Sequence, residues 1–227
     1  MAEIVHPSPA PFDSAQGRLA HQFDNLEQQK EASTLGMWVF LTTEVLFFGG
    51  LFVTYCIYRL WYPAAFAAGS REMLIWAGAT NTAVLITSSL TMALAVHAAQ
   101  TGNRRLLMSF LIVTMLLGCV FLGIKAFEYH TEFAEHHVPG AAFEFQPQAL
   151  RQNAQLFFSL YFVMTGLHAL HMIIGLGLMS FMLWWAWNGT ITKEYYNPIE
   201  VSGLYWHFVD IVWIFLFPLL YLIGRHV

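Results

Sequence analysis

The sequence contains few charged residues. Only 11% of its 227 residues are Asp, Glu, Lys or Arg, whereas 57% are hydrophobic and 16% are aromatic. An ordinary soluble domain carries roughly 25% charged residues, and so few charges cannot cover a water-soluble particle of this size. Most of the surface must therefore face lipid. The net charge of −4 is too small to indicate a nucleic-acid partner.

The sequence also lacks the motifs of several functional classes. It has no Cys-x-x-Cys-His haem-attachment motif, no phosphate-binding glycine loop and no zinc-hydrolase helix motif. Nor does it show the matched helix interruptions of transporters with inverted repeats. The two cysteines, Cys56 and Cys119, lie inside apolar runs, which favours small buried hydrophobes over a disulfide or a metal pair. We therefore expect neither a catalytic residue nor a bound metal in this chain.

Five apolar runs are long enough to cross the hydrocarbon core of a membrane, which takes about 20 residues. They cover approximately residues 34–60, 73–99, 106–128, 153–187 and 201–224. The sequence thus predicts an all-α integral membrane protein, with five transmembrane helices in residues 34–227. Residues 1–33 are polar, show no signal-peptide pattern and are predicted to form a partly disordered tail. Because most connections are short, consecutive helices are expected to be antiparallel neighbours in one bundle.

Basic residues bear on the orientation of this bundle. Their distribution between the two sides is nearly balanced, but the Arg104-Arg105 pair in a short loop favours the N-terminus inside and the C-terminus outside. Arg104, Arg105 and Lys193 would then lie on the cytoplasmic side. There they suit anionic lipid headgroups, although any cytoplasmic loop carries such residues.

Glu44 is the sharpest anomaly within the apolar runs. It lies about ten residues into the first run, which places it roughly 15 Å deep, near the bilayer midplane. No basic residue of the same run is close enough to neutralise it, so the surrounding lipid disfavours its charged form. Two interpretations stay open. Glu44 either exchanges protons or contacts a lipid headgroup, or it is a neutral acid that hydrogen-bonds to another helix.

Two further pairs of polar residues lie three positions apart in the apolar runs. His168 and His171 have a spacing that haem or copper ligation would allow, but hydrogen bonds to other helices are the favoured interpretation. His207 and Asp210 are expected to pair on one helix face. A structural pair is favoured over a catalytic dyad because no nucleophile accompanies them.

Glu128 and three histidines lie around the end of the third run. Glu128 is predicted to form an ordinary surface ion pair with Lys125, one turn earlier. His130, His136 and His137 follow in the only long connection. Their spacing matches no recognised metal site and they have no cysteine partner, so metal binding is disfavoured there.

Five segments, in this order along the chain, resemble the motifs of one family, subunit III of the haem-copper oxidases. They are Gly36 to Phe48 (centred on Thr43 to Phe48), Asn81 to Leu85, Phe127 to Tyr129, Thr165 to His171 and Tyr205 to Trp213. Mitochondrial-type members have two helices before the one that carries the glutamate, whereas a polar segment precedes it here. The sequence is therefore most similar to the five-helix bacterial form of cytochrome c oxidase subunit III.

The resemblance implies a non-catalytic subunit of a proton-translocating terminal oxidase in the bacterial inner membrane. Such a subunit lies directly against subunit I, in a respiratory complex that also contains subunit II. It binds no haem or copper itself, since those cofactors belong to partner subunits. The resemblance also implies that the chain binds structural phospholipid and supports proton uptake during oxygen reduction in aerobic electron transport. Glu44 would then be the counterpart of the family's carbodiimide-reactive glutamate.

Three alternatives stay open at this point. The chain could be the subunit III of a quinol oxidase, because the motifs do not distinguish the electron donor. It could be an accessory membrane protein of a nitric oxide reductase. A third alternative, from another class, is a self-sufficient small transporter or haem protein that uses Glu44, His168 and His171.

Overall fold

The computed structural model of the protein describes residues 22–140, 143–193, 195–222 and 224. Within these ranges it contains the following helices and no strand: α1 (Leu26–Trp61), α2 (Pro63–Glu72), α3 (Ile75–Gln100), α4 (Arg104–Ala134), α5 (Arg151–Trp187) and α6 (Asn197–Phe217). A 3₁₀ turn, Gln148–Leu150, precedes α5, and a π-helical turn, Pro218–Leu222, continues α6. All except α2 are long and apolar enough to cross a membrane. The predicted all-α bundle of five transmembrane helices is thereby confirmed.

The first helix begins earlier than the sequence predicted. Asn25 Oδ1 accepts a hydrogen bond from Gln28 N at 2.8 Å, while Gln28 Oε1 accepts one from Asp24 N at 2.8 Å. This reciprocal cap satisfies backbone donors that the start of a helix leaves free. Residues 26–33 are therefore helical, although they were predicted to belong to the polar tail. Residues 1–21 of that predicted tail lie outside the described residues.

The connection between the first two spans contains a helix that the sequence did not predict. Pro63 occupies the first turn of α2, where its missing N–H is not needed. The helix packs on α5, with the Phe66 ring centroid 5.5 Å from that of Phe157. Because α2 separates the end of α1 from the start of α3, α1 lies chiefly against α5 and α6 and not against α3. The prediction that all consecutive spans are neighbours is wrong for this pair.

The other four spans form a closed ring, in which α3 contacts α4, α4 contacts α5, α5 contacts α6, and α6 contacts α3. Trp206 of α6 points into this ring. A Cβ added to Gly175 of α5 would lie 2.8 Å from its indole, and one added to Gly118 of α4 would lie 3.0 Å away. The indole Nε1 donates to Ser88 Oγ of α3 at 2.9 Å. One side chain thus contacts the three other helices, and the two glycines provide the space that it needs.

Apolar side chains cover the outside of the bundle. Leu46 and Leu60 of α1 are 71% and 80% exposed, and Trp187, at the end of α5, is 69% exposed. Cys56 and Cys119 also lie on this outer surface as free thiols. The expectation that they are buried was wrong, because a run that is apolar all round does not reveal which of its faces meets lipid.

Candidate functional site

Glu44 lies near the midpoint of α1 and contacts α5. Its Oε2 is 3.3 Å from Nε2 of His171, and the two side chains are only 19% and 13% exposed. The sequence placed Glu44 inside a long apolar helix, as observed, but it did not predict His171 as its partner. The carboxyl therefore has a titratable neighbour from another helix within the membrane.

The second ring nitrogen of His171 constrains the protons of this contact. Nδ1 lies 2.8 Å from the carbonyl oxygen of Leu167, one turn earlier in α5. A carbonyl oxygen can only accept, so Nδ1 carries a proton. A hydrogen bond between Nε2 and the carboxyl then requires one more proton, either on Glu44 with a neutral imidazole or on Nε2 with a carboxylate.

Neighbouring aromatic rings hold this pair where α1, α5 and α6 meet. Tyr205 Oη of α6 donates to the backbone carbonyl of His171 at 3.0 Å. The ring centroid of Phe48 in α1 lies 5.3 Å from that of His171, in an edge-on arrangement. The imidazole is thus fixed from both neighbouring helices, so the contact with Glu44 belongs to the packing of the bundle.

His168 has a different environment, although it lies on the same helix. Its ring centroid is 5.3 Å from those of both Phe121 and Trp213, and the residue is only 1% exposed. Neither ring nitrogen has a hydrogen-bond partner among the described residues. The expected hydrogen bond to another helix is therefore not present for His168. His168 and His171 thus face different neighbours, although they lie three positions apart on α5.

Glu128 and Lys125 form a buried ion pair, whereas the sequence predicted a surface pair. Lys125 Nζ lies 3.1 Å from Glu128 Oε2, and the side chains are 4% and 0% exposed. Lys125 also donates to the hydroxyls of Tyr161 and Tyr221, at 3.1 and 3.0 Å. Both hydroxyls in turn donate to Glu128 Oε1, at 2.8 and 2.5 Å. The pair is buried because this face of α4 points towards α5 and the π-helical turn after α6, which supply the two phenols.

His207 and Asp210 do not pair with each other as predicted. His207 Nδ1 is 2.7 Å from Ser89 Oγ of α3, so its imidazole is hydrogen-bonded to the neighbouring helix. Asp210 is 3% exposed, and neither of its carboxyl oxygens has a hydrogen-bond partner among the described residues. Both groups, three residues apart on α6, line one pocket between α3 and α6. The spacing could not predict that Ser89 of α3 would form a hydrogen bond with the imidazole of His207.

Comparisons with known proteins cover nearly the whole chain. Residues 20–225 match the family model of cytochrome c oxidase subunit III. The chain is 32% identical over 207 residues to cytochrome c oxidase subunit 3 of Thermostichus vulcanus, an alignment covering 89% of this chain and 92% of that relative. The chain belongs to the cytochrome c oxidase subunit III family. It is therefore a multipass membrane protein and a subunit of a multisubunit oxidase complex.

Subunits of quinol oxidases match this chain similarly well. Cytochrome bo(3) ubiquinol oxidase subunit 3 of Pseudomonas aeruginosa is 29% identical over 206 residues, covering 91% of this chain and 92% of the relative. Quinol oxidase subunit 3 of Bacillus subtilis is 31% identical over 202 residues, covering 88% and 92%. Similarity alone therefore does not separate the two oxidase types for this family member.

An apolar groove of about 440 Å³ runs between α1 and α6 of the subunit. Its lining residues come from these two helices and are almost all apolar: Trp38, Leu41, Val45, Phe48, Gly49, Phe52, Leu204, His207, Phe208, Ile211, Val212 and Phe215. An acyl chain is the membrane component that matches such a lining, because it has no polar group that would need a partner.

The basic residues predicted to meet lipid headgroups lie at the end of the bundle where α1 begins. Arg104 donates to the backbone carbonyl of Trp187, so it neutralises the C-terminal end of α5. Arg105 and Lys193 are exposed. Arg104 thus has a structural role that the sequence did not reveal. Headgroup contact by Arg104, Arg105 and Lys193 stays a prediction.

A further polar group lies at the opposite end of the bundle, where α4 ends. His137 Nδ1 is 2.9 Å from Glu132 Oε2 and 3.5 Å from Glu135 Oε2. The hydrogen bond to Glu132 raises the pKa of His137 above its usual value, and burial partly opposes this effect. His130 and His136, the other histidines of this region, are exposed and do not join the group.

Proposed function

We propose that this chain is the non-catalytic subunit III of a proton-translocating terminal oxidase of the cytochrome c oxidase type, in the bacterial inner membrane. Its N-terminus lies inside and its C-terminus outside. The subunit contacts subunit I directly and forms a complex that includes subunit II. Haem and copper belong to those partner subunits, where electrons reach oxygen. This chain stabilises subunit I and supports proton uptake during aerobic electron transport.

The contact between Glu44 and His171 carries this proposal. A lone carboxylate near the bilayer midplane costs several kcal/mol, so such a group usually has a partner or a proton. Here the carboxyl oxygen lies 3.3 Å from an imidazole nitrogen of a neighbouring helix, which can act as its partner. The pair can accept a further proton, as a neutral carboxyl beside an imidazolium, and return it without leaving a bare carboxylate in lipid. Such a group is suited to supporting proton supply to an adjacent catalytic subunit.

The groove between α1 and α6 supports the second part of the proposal, the binding of structural phospholipid. Its apolar lining suits an acyl chain along the bundle. On the proposed orientation, Arg105 and Lys193 lie on the cytoplasmic side, where cations attract anionic headgroups. A lipid held in this way would fill the space between the subunit and its neighbours in the complex.

The proposal also names the electron donor of the complex, cytochrome c, with a quinol as the alternative. The relative from Thermostichus vulcanus supports the cytochrome c type. The relatives from Pseudomonas aeruginosa and Bacillus subtilis favour a quinol oxidase as the second candidate. Both candidates require the same role of this chain beside a catalytic subunit.

Purification of the tagged chain from its native membrane in mild detergent tests the proposal. We expect a haem-copper catalytic subunit to co-purify, and the complex to consume oxygen with reduced cytochrome c. Oxygen consumption with a quinol but not with cytochrome c would reassign the chain to the second candidate. Co-purification with a nitric oxide reductase, and with no oxidase, would contradict both.

A further inference from the structure

Three donor atoms converge at the end of α4. They are Glu132 Oε2, Glu135 Oε2 and His137 Nδ1, and all lie within 4.8 Å of one another. The nitrogen faces both carboxylates, at 2.9 Å from that of Glu132 and 3.5 Å from that of Glu135. None of these residues takes part in the pair formed by Glu44 and His171 or in the hydrogen bonds around Glu128. Their convergence is therefore not explained by the proposed function.

The spacing of these atoms fits a small transition-metal ion. Zinc binds histidine nitrogen and carboxylate oxygen at about 2.1 Å, so two ligand atoms of a tetrahedral site lie about 3.4 Å apart. The two distances measured from His137 Nδ1 lie on either side of that value. A set of one nitrogen and two oxygens suits Zn²⁺ and related ions, whereas Mg²⁺ and Ca²⁺ prefer oxygen ligands alone.

Two of the three donors are held in place by the fold. Glu132 is 1% exposed and His137 is 9% exposed. The His137 ring lies 4.7 Å from that of Phe158 in α5, and its backbone N–H donates to the Glu132 carbonyl at 3.0 Å. The preceding residue, His136, has a φ of 58°, which turns the chain back over the helix end. The donors are thus positioned before any ion binds, which lowers the entropic cost of binding.

The third donor provides access from the surface. The side chain of Glu135 is 51% exposed, so an ion can reach the group without any opening of the bundle. Water would complete the coordination shell on this open side. The site would thus have two buried ligands in fixed positions, Glu132 and His137, and one exposed ligand, Glu135, on the side from which an ion can enter.

From this geometry we propose that Glu132, Glu135 and His137 form a binding site for Zn²⁺ or a similar divalent transition-metal ion. The ion would replace the hydrogen bond between Glu132 and His137 and join the end of α4 to the connection that follows it. This inference does not rest on the role of Glu44 or on the type of oxidase. The competing explanation is that the hydrogen bond between Glu132 and His137 only closes the turn, without any metal.

Zinc titration of the purified complex that contains the full chain separates the two explanations. After treatment with a chelator and its removal, Zn²⁺ binding is measured by isothermal titration calorimetry for the wild type and for Glu135→Gln. This variant keeps the hydrogen bond between Glu132 and His137, and it changes an exposed side chain, so folding should be preserved. We expect it to weaken one Zn²⁺ site by about tenfold or more, since even changes outside the ligand shell cost 10–100-fold.

The matched control is His130→Gln, which alters an exposed histidine outside the donor group. It should leave the affinity of that site unchanged within about twofold. As a second readout, Zn²⁺ should slow amide hydrogen exchange in residues 135–140 of the wild type and not of Glu135→Gln. Equal Zn²⁺ affinity in the wild type and Glu135→Gln, with no zinc-dependent protection of these residues, would overturn the proposal.

Discussion

Glu44 Oε2 of α1 lies 3.3 Å from His171 Nε2 of α5, and Nδ1 of the same imidazole donates to the Leu167 carbonyl. With Nδ1 already protonated, only one proton remains to be divided between the carboxyl and Nε2. A neutral form and an ion-pair form of this contact would therefore have the same total charge. This contact also gives the carboxyl in the middle of α1 a defined partner.

The first prediction concerns chemical labelling of this glutamate. Hydrophobic carbodiimides react with protonated carboxyls that lipid can reach, and Glu44 is 19% exposed whereas Glu128 is fully buried. We expect dicyclohexylcarbodiimide to modify Glu44 and to leave Glu128 unmodified, as measured by peptide mapping. His171→Phe removes the ion-pair form, so labelling of Glu44 should be as fast as in the wild type or faster. In Glu44→Gln the label should be lost, and a modified carboxyl elsewhere with Glu44 untouched would refute the assignment.

The second prediction concerns the buried network around Glu128. Glu128→Leu leaves the Lys125 ammonium buried without its carboxylate, and removal of one partner of a buried ion pair costs about 3–5 kcal/mol. We expect a clear fall in the thermal unfolding temperature of the complex in detergent. The double variant Lys125→Met with Glu128→Leu should lose less stability than Glu128→Leu alone, because no unpaired charge remains. An unchanged unfolding temperature in Glu128→Leu would show that the network does not stabilise the subunit.

The third prediction concerns the packing of Trp206 against glycine. Gly175→Ala places a methyl group where a Cβ would lie 2.8 Å from the indole, and overpacking of this kind costs about 1–3 kcal/mol. Gly177→Ala is the matched control, because nothing lies within 4 Å of a Cβ at that position of the same helix. We expect Gly175→Ala to lower the unfolding temperature and Gly177→Ala to leave it unchanged. Equal behaviour of the two variants would mean that the indole is not confined as described.

The fourth prediction concerns lipid in the groove between α1 and α6. Gly49 lines this groove, and nothing lies within 4 Å of a Cβ at that position, so Gly49→Leu should project into the groove without disturbing the helices. We expect the purified complex to lose a co-purified phospholipid, as counted by native mass spectrometry. Gly36→Leu makes the same change in the same helix, away from the residues that line the groove, and should retain the lipid. Identical lipid content in both variants would count against an acyl chain at this place.

The sequence predicted the spans and the depth of Glu44 because both depend on properties of a single segment. Length and hydropathy define a span, and the rise per residue defines depth within it. The same reasoning missed α2, whose ten residues are neither long nor uniformly apolar. It also placed the start of α1 too late, because polar residues such as Asn25 and Gln28 cap the helix through their side chains.

The partners of the polar residues could not be predicted, since they depend on how helices pack. His171 was expected to hydrogen-bond to another helix; its Nε2 lies 3.3 Å from Glu44 Oε2 of α1, and nothing in the sequence selected Glu44 as its neighbour. Ser89, Tyr161 and Tyr221 are ordinary residues of apolar runs until the bundle brings them to His207 and to Lys125. One signal for the buried ion pair was available: Lys125 lies inside an apolar run, where a charged residue normally faces the bundle interior.

The role proposed for the pair formed by Glu44 and His171 is to support proton uptake by a terminal oxidase. Its most direct test follows oxygen consumption and proton uptake by the purified oxidase over many turnovers, with the wild-type chain, with Glu44→Gln and without the chain. We predict slower proton uptake and earlier loss of activity without the chain, and an intermediate loss with Glu44→Gln. Proton uptake and turnover number that are the same in all three preparations would contradict the account.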